Sequence, residues 1–482
     1  MDTNIVNNVD SIQTLDKYKR TKIIASLDLS NIDYEHIVRM IESGVDGIRL
    51  NFSQGNHNEY LTAIKHIRKA SRSLVKPVSI IQDLKGPKVC LGSFDGVIPV
   101  EKGQTIRLRY GADYIREGIV PINYDLSKKA KRGEKLYIYD GQIKSTITSV
   151  KDKTLSITIE NNGILLPHKG INLPETNFDG DIITAKDKKD IVFGLENDID
   201  YVAFGFIQAH TDVLSMKRHL KNLGSTAKII SKIETKFSLD DIEKIVECSD
   251  AVMIARDDLA IETEPETVPI AGRIIVGLGH KYSKPTIIVT HMMVNIGENP
   301  EPTKVEVGDV ATAVIIGADA VMLSDESTSG KYPMQAIEFM NKVITYTEQN
   351  SPLTAVYEHE YADSKTKAGA ISNSILSLAN SIGANAIITE TKSGSTAFNI
   401  SGHRPKQIII GVTASEKVYR QMAILYGCIG YIRQDEQHQG FNMASALLKK
   451  KLFNSGDIVV ITSGIHPGVV GTTDTIKVRV LE

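Results

Sequence analysis

The sequence predicts an α/β protein built on a (β/α)₈ TIM barrel, and three observations indicate it. Apolar, β-branched runs alternate with helical patterns from Thr21 to Leu323, giving about eight βα units, the number in such a barrel. The alternation stops from about Lys88 to Asp181, where short alternating segments and an Asp140-Gly141 turn signal predict an inserted β domain. A separate α/β domain follows after about Gln349.

The barrel strands are predicted as short apolar runs, which suit a parallel sheet buried on both faces. They are expected at Thr21–Leu27, Gly47–Phe52, Val78–Leu84, Tyr201–Phe206, Lys228–Ile233, Ala251–Ala255, Thr286–Thr290 and Ala320–Leu323. Between the fifth and sixth runs, Leu239, Ile242, Ile245 and Val246 recur at the spacing of one helix.

The last domain is predicted from a helical pattern followed by apolar runs. Its helix is expected around Ile371–Ile382, and its strands are expected at Ala386–Thr389, Gln407–Val412, Asp457–Thr462 and Thr475–Val480. The resulting division is an amino-terminal arm at 1–16, a barrel formed by 17–87 and 184–350, an inserted domain at 88–183 and a carboxyl-terminal domain at 351–482.

Composition narrows the possible partners. The 482 residues are 41% hydrophobic and 24% charged, with a net charge of -2, so bulk charge predicts neither a nucleic-acid nor a membrane partner. The amino-terminal stretch is polar, and no run is long and apolar enough to cross a bilayer. Three cysteines without metal-type spacing fit a reducing compartment. We therefore expect a cytoplasmic protein.

Charged and polar residues close most of the predicted barrel strands. In parallel barrels the carboxyl ends of the strands, here called the mouth, hold the active site. Arginine and lysine suit phosphate, while carboxylates suit magnesium or manganese. Each residue alone also fits an ion-paired strand end, whereas together they favour a site. They are Arg49, Asn51, Ser53, Asp83, Lys85, Lys232, Glu234, Asp258, Thr290, His291, Ser324 and Glu326.

A second candidate site lies in the last domain. The segment TKSGST follows a predicted strand and opens a predicted helix, where free backbone amides suit a phosphate. An ordinary βα turn is the alternative interpretation. The segment consists of Thr391, Lys392, Ser393, Gly394, Ser395 and Thr396.

The chain resembles the pyruvate kinase family over nearly all of its length. The motifs that carry the resemblance are GIRLNFSQG, QDLKGPK, KGINLP, IISKIE, ARDDLA, PTKVEVGDVATAV, GADAVMLSDES and GTTDTIKV. The resemblance implies a (β/α)₈ barrel, a small mobile β-barrel lid domain and a carboxyl-terminal regulatory domain. It also implies a homotetramer that transfers phosphate from phosphoenolpyruvate to ADP in glycolysis.

The resemblance also implies roles for individual residues. Lys232 would stabilise the transferring phosphoryl group, and Glu234 and Asp258 would hold Mg²⁺ or Mn²⁺. Arg49 would bind the substrate phosphate, Thr290 would lie near the enolate and Asp257 near the substrate carboxylate. Lys232 and Asp258 would also contact the substrate. Lys186 and Asn51 would contact ADP or ATP. Residues 391–396 would hold a sugar-phosphate effector.

A monovalent-cation region is implied at Asn51, Ser53, Asp83, Leu84 and Lys88. Members that need potassium have threonine and glutamate where this chain has Leu84 and Lys88. The potassium-independent members resemble this chain at both positions. We therefore expect that K⁺ is not required.

Several positions depart from the family pattern. Asp257 and Ala260 replace glycines, and His291 replaces the usual glutamine. On the nucleotide side the family has arginine, histidine and arginine where this chain has Cys90, Gln54 and Gln208. Three hypotheses follow: an active pyruvate kinase, a non-catalytic or nucleotide-impaired relative that binds a metabolite, and metal-dependent chemistry on an enolpyruvate-like substrate without nucleotide.

Overall fold

The computed structural model describes residues 18–178, 182–290, 292–351, 366–434, 438–464 and 473–482. The predicted arm at 1–16 and His291 lie outside the described residues.

The first elements are two βα units and a third strand. Both helices begin at side-chain caps, Asp33 for the first and an Asn56–Glu59 capping box for the second. In chain order the elements are β1 (Lys22–Ser26), α1 (Tyr34–Glu42), β2 (Gly47–Asn51), α2 (His57–Ser73) and β3 (Ser79–Asp83).

The chain then forms the inserted β domain, called the lid. Its main sheet has six strands in the order β11-β7-β8-β9-β5-β6, and β10 pairs with β4 in a second sheet. Asp140 and Gly141 both have positive φ and turn the chain between β7 and β8, as their sequence predicts. The elements are β4 (Ile98–Val100), β5 (Thr105–Tyr110), α3 (Tyr114–Glu117), β6 (Val120–Ile122), a 3₁₀ turn (Leu126–Lys128), β7 (Lys135–Ile138), β8 (Ile143–Lys151), β9 (Thr154–Ile159), β10 (Gly163–Leu165) and β11 (Ile171–Asn172).

The barrel resumes after the lid. Short 3₁₀ turns follow two of its strands, at Val294–Gly297 and Asp325–Ser327. The elements are α4 (Ala185–Glu196), β12 (Tyr201–Phe204), α5 (His210–Asn222), β13 (Lys228–Ile233), α6 (Lys236–Asp240), α7 (Ile242–Cys248), β14 (Ala251–Ala255), α8 (Arg256–Glu262), α9 (Thr267–Tyr282), β15 (Thr286–Val289), α10 (Lys304–Ile315), β16 (Ala320–Leu323) and α11 (Pro333–Asn350).

Eight parallel strands close the barrel in the order β1-β16-β15-β14-β13-β12-β3-β2. Every residue of β1, β3, β12, β14, β15 and β16 is buried, as expected for strands covered on both faces. The predicted fold class, with its barrel, inserted β domain and carboxyl-terminal α/β domain, is confirmed.

One predicted helix was wrong, and several predicted barrel strands extend one or two residues beyond the observed ones. The single helix expected between β13 and β14 is divided into α6 and α7 at Asp241, whose carboxylate accepts hydrogen bonds from the backbone and the ring of His210 at 2.8 and 2.6 Å. The strand expected at Thr286–Thr290 ends at Val289, because Thr290 turns away with a φ of 73°.

The carboxyl-terminal domain has a five-stranded sheet in the order β19-β18-β17-β20-β21, in which only β21 is antiparallel. Sequence analysis missed β19, whose Gly430 is a breaker signal. A Cβ at Gly430 would lie 3.0 Å from the ring of Tyr419, a tight contact that glycine avoids. The elements are α12 (Lys367–Ser381), β17 (Ala386–Glu390), α13 (Ser395–Gly402), β18 (Ile408–Thr413), α14 (Glu416–Gln421), a 3₁₀ turn (Met422–Ile424), β19 (Cys428–Ile432), α15 (Gln439–Lys449), β20 (Ile458–Gly464) and β21 (Thr473–Val480).

This domain seals the end of the barrel opposite the mouth. Buried side chains inside the barrel, such as Ile24 and Ile230, belong to one hydrophobic cluster with Ile424 and Leu425 of the carboxyl-terminal domain. The seal leaves the mouth and its lid as the accessible end of the barrel.

No helix within the described parts of the chain is both long and apolar enough to cross a membrane.

Candidate active site at the mouth of the barrel

A buried lysine lies at the centre of the mouth. Lys232, near the end of β13, has its Nζ 3.3 Å from Asp83 Oδ1 and 3.5 Å from Glu234 Oε2. The side chain of Lys232 is 16% exposed, and those of Asp83 and Glu234 are 3% and 5% exposed. Two buried carboxylates therefore hold one ammonium beside a small opening to solvent.

The pKa values reflect this arrangement. Burial disfavours the charge on Lys232, but Asp83, Glu234 and Asp258 together outweigh burial and raise the pKa of its ammonium above the ordinary value. Burial likewise disfavours ionised Asp83, yet Lys232 and Arg49 keep the pKa of its carboxyl below the ordinary value. Lysine and aspartate are thus both charged at neutral pH.

Arg49 joins the same network from β2. Its Nε and one terminal nitrogen both lie 2.7 Å from Asp83 Oδ2, and its other terminal nitrogen donates to the hydroxyl of Ser26 at 2.9 Å. Asn51 and Asp83 are register neighbours on β2 and β3, so the two strand ends are adjacent. A guanidinium fixed in this way is prepared to bind an anion in a defined orientation.

Glu234 is positioned by the neighbouring strand. Its Oε1 accepts a hydrogen bond from the backbone of Phe206 at 2.7 Å. A Cβ at Gly205 would lie 1.9 Å from that oxygen, so only glycine fits there. Burial raises the pKa of Glu234, Lys232 opposes the rise, and Asp258 adds to it. Added positive charge near Glu234 would favour its ionised form.

The sixth strand brings a second acidic pair to the mouth. Asp257 and Asp258 lie in the first turn of α8, which follows β14 without a break. Asp258 is about one third exposed, and its Oδ1 lies 3.9 Å from Nζ of Lys88 on the lid. The lid therefore reaches the barrel next to the acidic end of the site.

The residues present fit a divalent metal ion that keeps several non-protein ligands. Glu234 and Asp258 supply hard carboxylate oxygens close enough for the charge of one to raise the pKa of the other. No group of three or more histidine, cysteine, aspartate or glutamate side chains suited to a metal occurs in the described chain. Water and substrate oxygens would complete the shell, as Mg²⁺ accepts.

Thr290 is held in an unusual conformation at the end of β15. Its φ of 73° is uncommon for a β-branched residue and often marks a functional position. Arg256 fixes the segment by donating to the backbone oxygens of Val289 and Thr290. Asp309 on α10 holds the guanidinium with two contacts of 2.8 Å.

The predicted nucleotide residues lie beside β2. Lys186 donates to the backbone oxygen of Phe52 at 2.6 Å and to Asp190 at 2.5 Å. The side chain of Asn51 accepts a hydrogen bond from the backbone of Ser53 at 3.1 Å. Lys186 is therefore attached to the loop after β2, away from the contacts of Lys232.

The remaining predicted positions divide between the mouth and the lid. Leu84 is buried, whereas Ser53 and Gln54 are exposed. Cys90 is paired with Gly170 in a bridge between the two connections that join the lid to the barrel. Gln208 accepts a hydrogen bond from the backbone of Phe178 at 2.8 Å, so it contacts the returning connection.

Sequence reasoning missed how three residues shape the site, although it placed Arg256 among the charges that close a strand. Ser26 orients Arg49, Gly205 makes room for Glu234, and Arg256 fixes Thr290. Arg256 directly follows the predicted run Ala251–Ala255, and Gly205 lies near the end of the predicted run Tyr201–Phe206, so their position at the mouth was a usable signal. Their roles depend on contacts between strands, which sequence spacing does not reveal.

The segment 391–396 lies in the other domain, away from the mouth. It connects β17 to α13, and Gly394 occupies the helix cap with a φ of 83°. The hydroxyl of Thr391 accepts from the backbone of Gly394 at 2.9 Å, and the hydroxyls of Ser393 and Ser395 lie 2.7 Å apart. Hydroxyl groups thus gather at the start of a helix.

Comparisons with known proteins match both parts of the chain. A family model described as "Pyruvate kinase, barrel domain" matches residues 18–337, and one described as "Pyruvate kinase, alpha/beta domain" matches residues 369–479. The pyruvate kinase of Clostridium acetobutylicum is 34% identical over 473 residues, covering 96% of this chain and 100% of that protein. That of Thermotoga maritima is 34% identical, covering 95% and 99%, and pyruvate kinase 2 of Synechocystis is 33% identical, covering 98% and 81%.

The contact between Gly205 and Glu234 generates a stability prediction. Gly205→Ala would force the buried carboxylate of Glu234 to move, and we expect the free energy of unfolding to fall by about 1–3 kcal/mol. Adding Glu234→Ala removes the clashing oxygen, so Gly205→Ala should cost much less in that background. Thermal melting measures the loss of stability in both backgrounds. Gly277→Ala is the control, because the Cβ that it adds would meet no atom within 4 Å. A single Gly205→Ala variant as stable as the parent would contradict this account.

Proposed function

The chain belongs to the pyruvate kinase family, and from this premise we propose how its mouth carries out the family reaction. The protein is a phosphotransferase that transfers the phosphoryl group of phosphoenolpyruvate to ADP, giving pyruvate and ATP. The observation that carries the proposed residue roles is the buried ammonium of Lys232, held between Asp83 and Glu234 beside Arg49.

Lys232 is the proposed charge stabiliser. Negative charge on the transferring phosphoryl group is stabilised best by a cation that is already in place and shielded from water. The two carboxylates supply that placement, so Lys232 does not have to be ordered during the reaction. It also remains charged, because their attraction outweighs burial.

Arg49 and Thr290 are the proposed substrate contacts. Arg49 binds the substrate phosphate while Asp83 and Ser26 keep its guanidinium in one plane. Thr290, fixed through Arg256, lies near the enolate that becomes pyruvate. Asp257, in the first turn of α8, contacts the region of the substrate carboxylate and disfavours it by charge repulsion.

Glu234 and Asp258 are the proposed ligands of Mg²⁺ or Mn²⁺. When bound, the ion supplies positive charge to the oxygens of the reacting phosphate. The protein's part is to hold the two carboxylates, Glu234 through the backbone of Phe206 and Asp258 through α8.

The nucleotide is proposed to bind beside β2, through Lys186 and Asn51. Asp190 and the backbone of Phe52 hold the ammonium of Lys186 at this edge. With Cys90, Gln54 and Gln208 in place of charged side chains, we expect fewer contacts to the nucleotide phosphates, and hence weaker selection among nucleoside diphosphates.

Regulation and assembly follow the family pattern in our proposal. Residues 391–396 bind a sugar phosphate at the start of α13, where hydroxyls and backbone amides gather. The chain forms a homotetramer and works in the cytoplasm, where the three free thiols would remain reduced. The domain boundaries are those predicted from the sequence.

A coupled assay tests the reaction itself. With phosphoenolpyruvate, Mg²⁺ and each nucleoside diphosphate in turn, we expect pyruvate and the matching triphosphate in equal amounts. We also expect discrimination among the diphosphates by less than about tenfold, or 1.4 kcal/mol, since contacts to the phosphates are few. Pyruvate without triphosphate would favour nucleotide-independent chemistry, and absence of product with intact phosphoenolpyruvate binding would favour a metabolite-binding protein.

The second test concerns potassium. Lys88, whose ammonium lies 3.9 Å from Asp258, is proposed to supply the positive charge that potassium supplies elsewhere. We expect equal initial rates, within about twofold, in sodium, potassium and tetramethylammonium buffers of matched ionic strength. Lys88→Glu should lower the rate in potassium-free buffer, whereas Lys102→Glu, the same charge change on an exposed lid loop, should not. Many-fold activation of the parent by potassium would refute this role.

A further inference from the structure

One helix of the barrel is tied to the lid at two points, one turn apart. Lys88, on the connection that enters the lid, lies 3.9 Å from Asp258. Asn172, on the connection that returns from the lid, donates a hydrogen bond to Glu262 Oε1 at 2.9 Å. Asp258 and Glu262 are four residues apart on α8, so both connections meet the same face of that helix.

The two connections are themselves paired. The backbone of Leu91 donates to Lys169 at 2.9 Å, and that of Ile171 donates to Val89 at 2.8 Å. Asn172 also lies in β11, at the edge of the main lid sheet, where it pairs with Tyr137 of β7. A displacement of the lid sheet would therefore be transmitted to Asn172.

The contact between Asn172 and Glu262 is buried on both sides. Asn172 is 6% exposed and Glu262 is 8% exposed. Burial raises the pKa of Glu262 to about 7, while Asn172 and the backbone of Lys236 favour its charged form and the charges of Asp258 and Glu234 disfavour it. A buried carboxyl group with these neighbours loses much of its stabilisation when its hydrogen-bond donor is removed.

We propose that the hydrogen bond from Asn172 to Glu262 is a latch that couples the position of the lid to the position of α8, and hence to Asp258. Asn172 and Glu262 are positioning residues, since neither is assigned a contact with substrate. This inference rests on the proposed function only for its effect on turnover. The mechanical coupling between lid and helix can be measured without any reaction.

The experiment compares Asn172→Ala, Glu262→Met and the double variant by hydrogen exchange and by thermal melting. Because the latch joins a buried carboxyl group to its donor, each single change should speed exchange in residues 169–174 and 256–262 by roughly ten- to a hundredfold. Asn161→Ala is the control, because its hydrogen bonds stay within the lid. Exchange in these two segments should not change in the control.

The double variant separates a latch from an ordinary structural bond. Removing both partners takes away the buried amide and the buried carboxyl group together, and of the groups bonded to Glu262 only the backbone N–H of Lys236 loses its acceptor. The melting temperature should therefore return part of the way towards that of the parent. Fast exchange in both segments should persist, because the connection itself is still missing. In steady-state assays kcat should fall roughly tenfold in all three latch variants, since small misplacements of site groups are costly.

Three outcomes would overturn the proposal. The first is that residues 169–174 and 256–262 of Asn172→Ala exchange as slowly as in the parent. The second is that the double variant recovers slow exchange together with its melting temperature. The third is that the parent is active but kcat is unchanged in all three latch variants. If the variants exchange faster than the parent as expected, but the parent does not phosphorylate ADP, the proposed function is contradicted and the latch is still supported.

Discussion

The constraint on which the site depends is the burial of one ammonium between two carboxylates. Lys232 lies on β13, Asp83 is the last residue of β3, and Glu234 directly follows β13. The closed barrel brings these strand ends together. Removing one member of such a buried group leaves an uncompensated charge, at a cost of about 3–5 kcal/mol. The network therefore fixes the geometry of the mouth as well as its chemistry.

The opposite end of the barrel is fixed by a second buried network. The carboxylate of Asp200 accepts from Arg68 at 2.9 Å, from the backbone of Ile80 at 2.8 Å and from Arg420 of the carboxyl-terminal domain at 2.8 Å. Arg420 therefore links that domain to the barrel strands that carry the mouth. Ile80 belongs to β3, whose last residue is Asp83. A single strand thus joins the domain interface to the buried charges of the mouth.

Much of this could be predicted from the sequence, because apolar runs and strand-end charges are local patterns. The runs Lys228–Ile233 and Ala251–Ala255 coincide with β13 and β14, and Arg49, Asp83, Lys232 and Glu234 do meet. The rest depends on contacts between distant segments. Nothing near Gly205 indicates that the oxygen of Glu234 fills the space of its missing side chain. Likewise, the division of one predicted helix at Asp241 depends on His210, 31 residues earlier.

The central claim is that Lys232 acts on the transferring phosphoryl group more than on substrate binding. The most direct measurement compares the parent with Lys232→Met, determining phosphoenolpyruvate affinity by titration and the rate of phosphoryl transfer by single-turnover quench. Loss of an interaction that strengthens only in the transition state should lower the rate by at least about a hundredfold, while affinity changes less than about tenfold. A transfer rate near that of the parent, or a loss explained by weaker binding alone, would contradict the account.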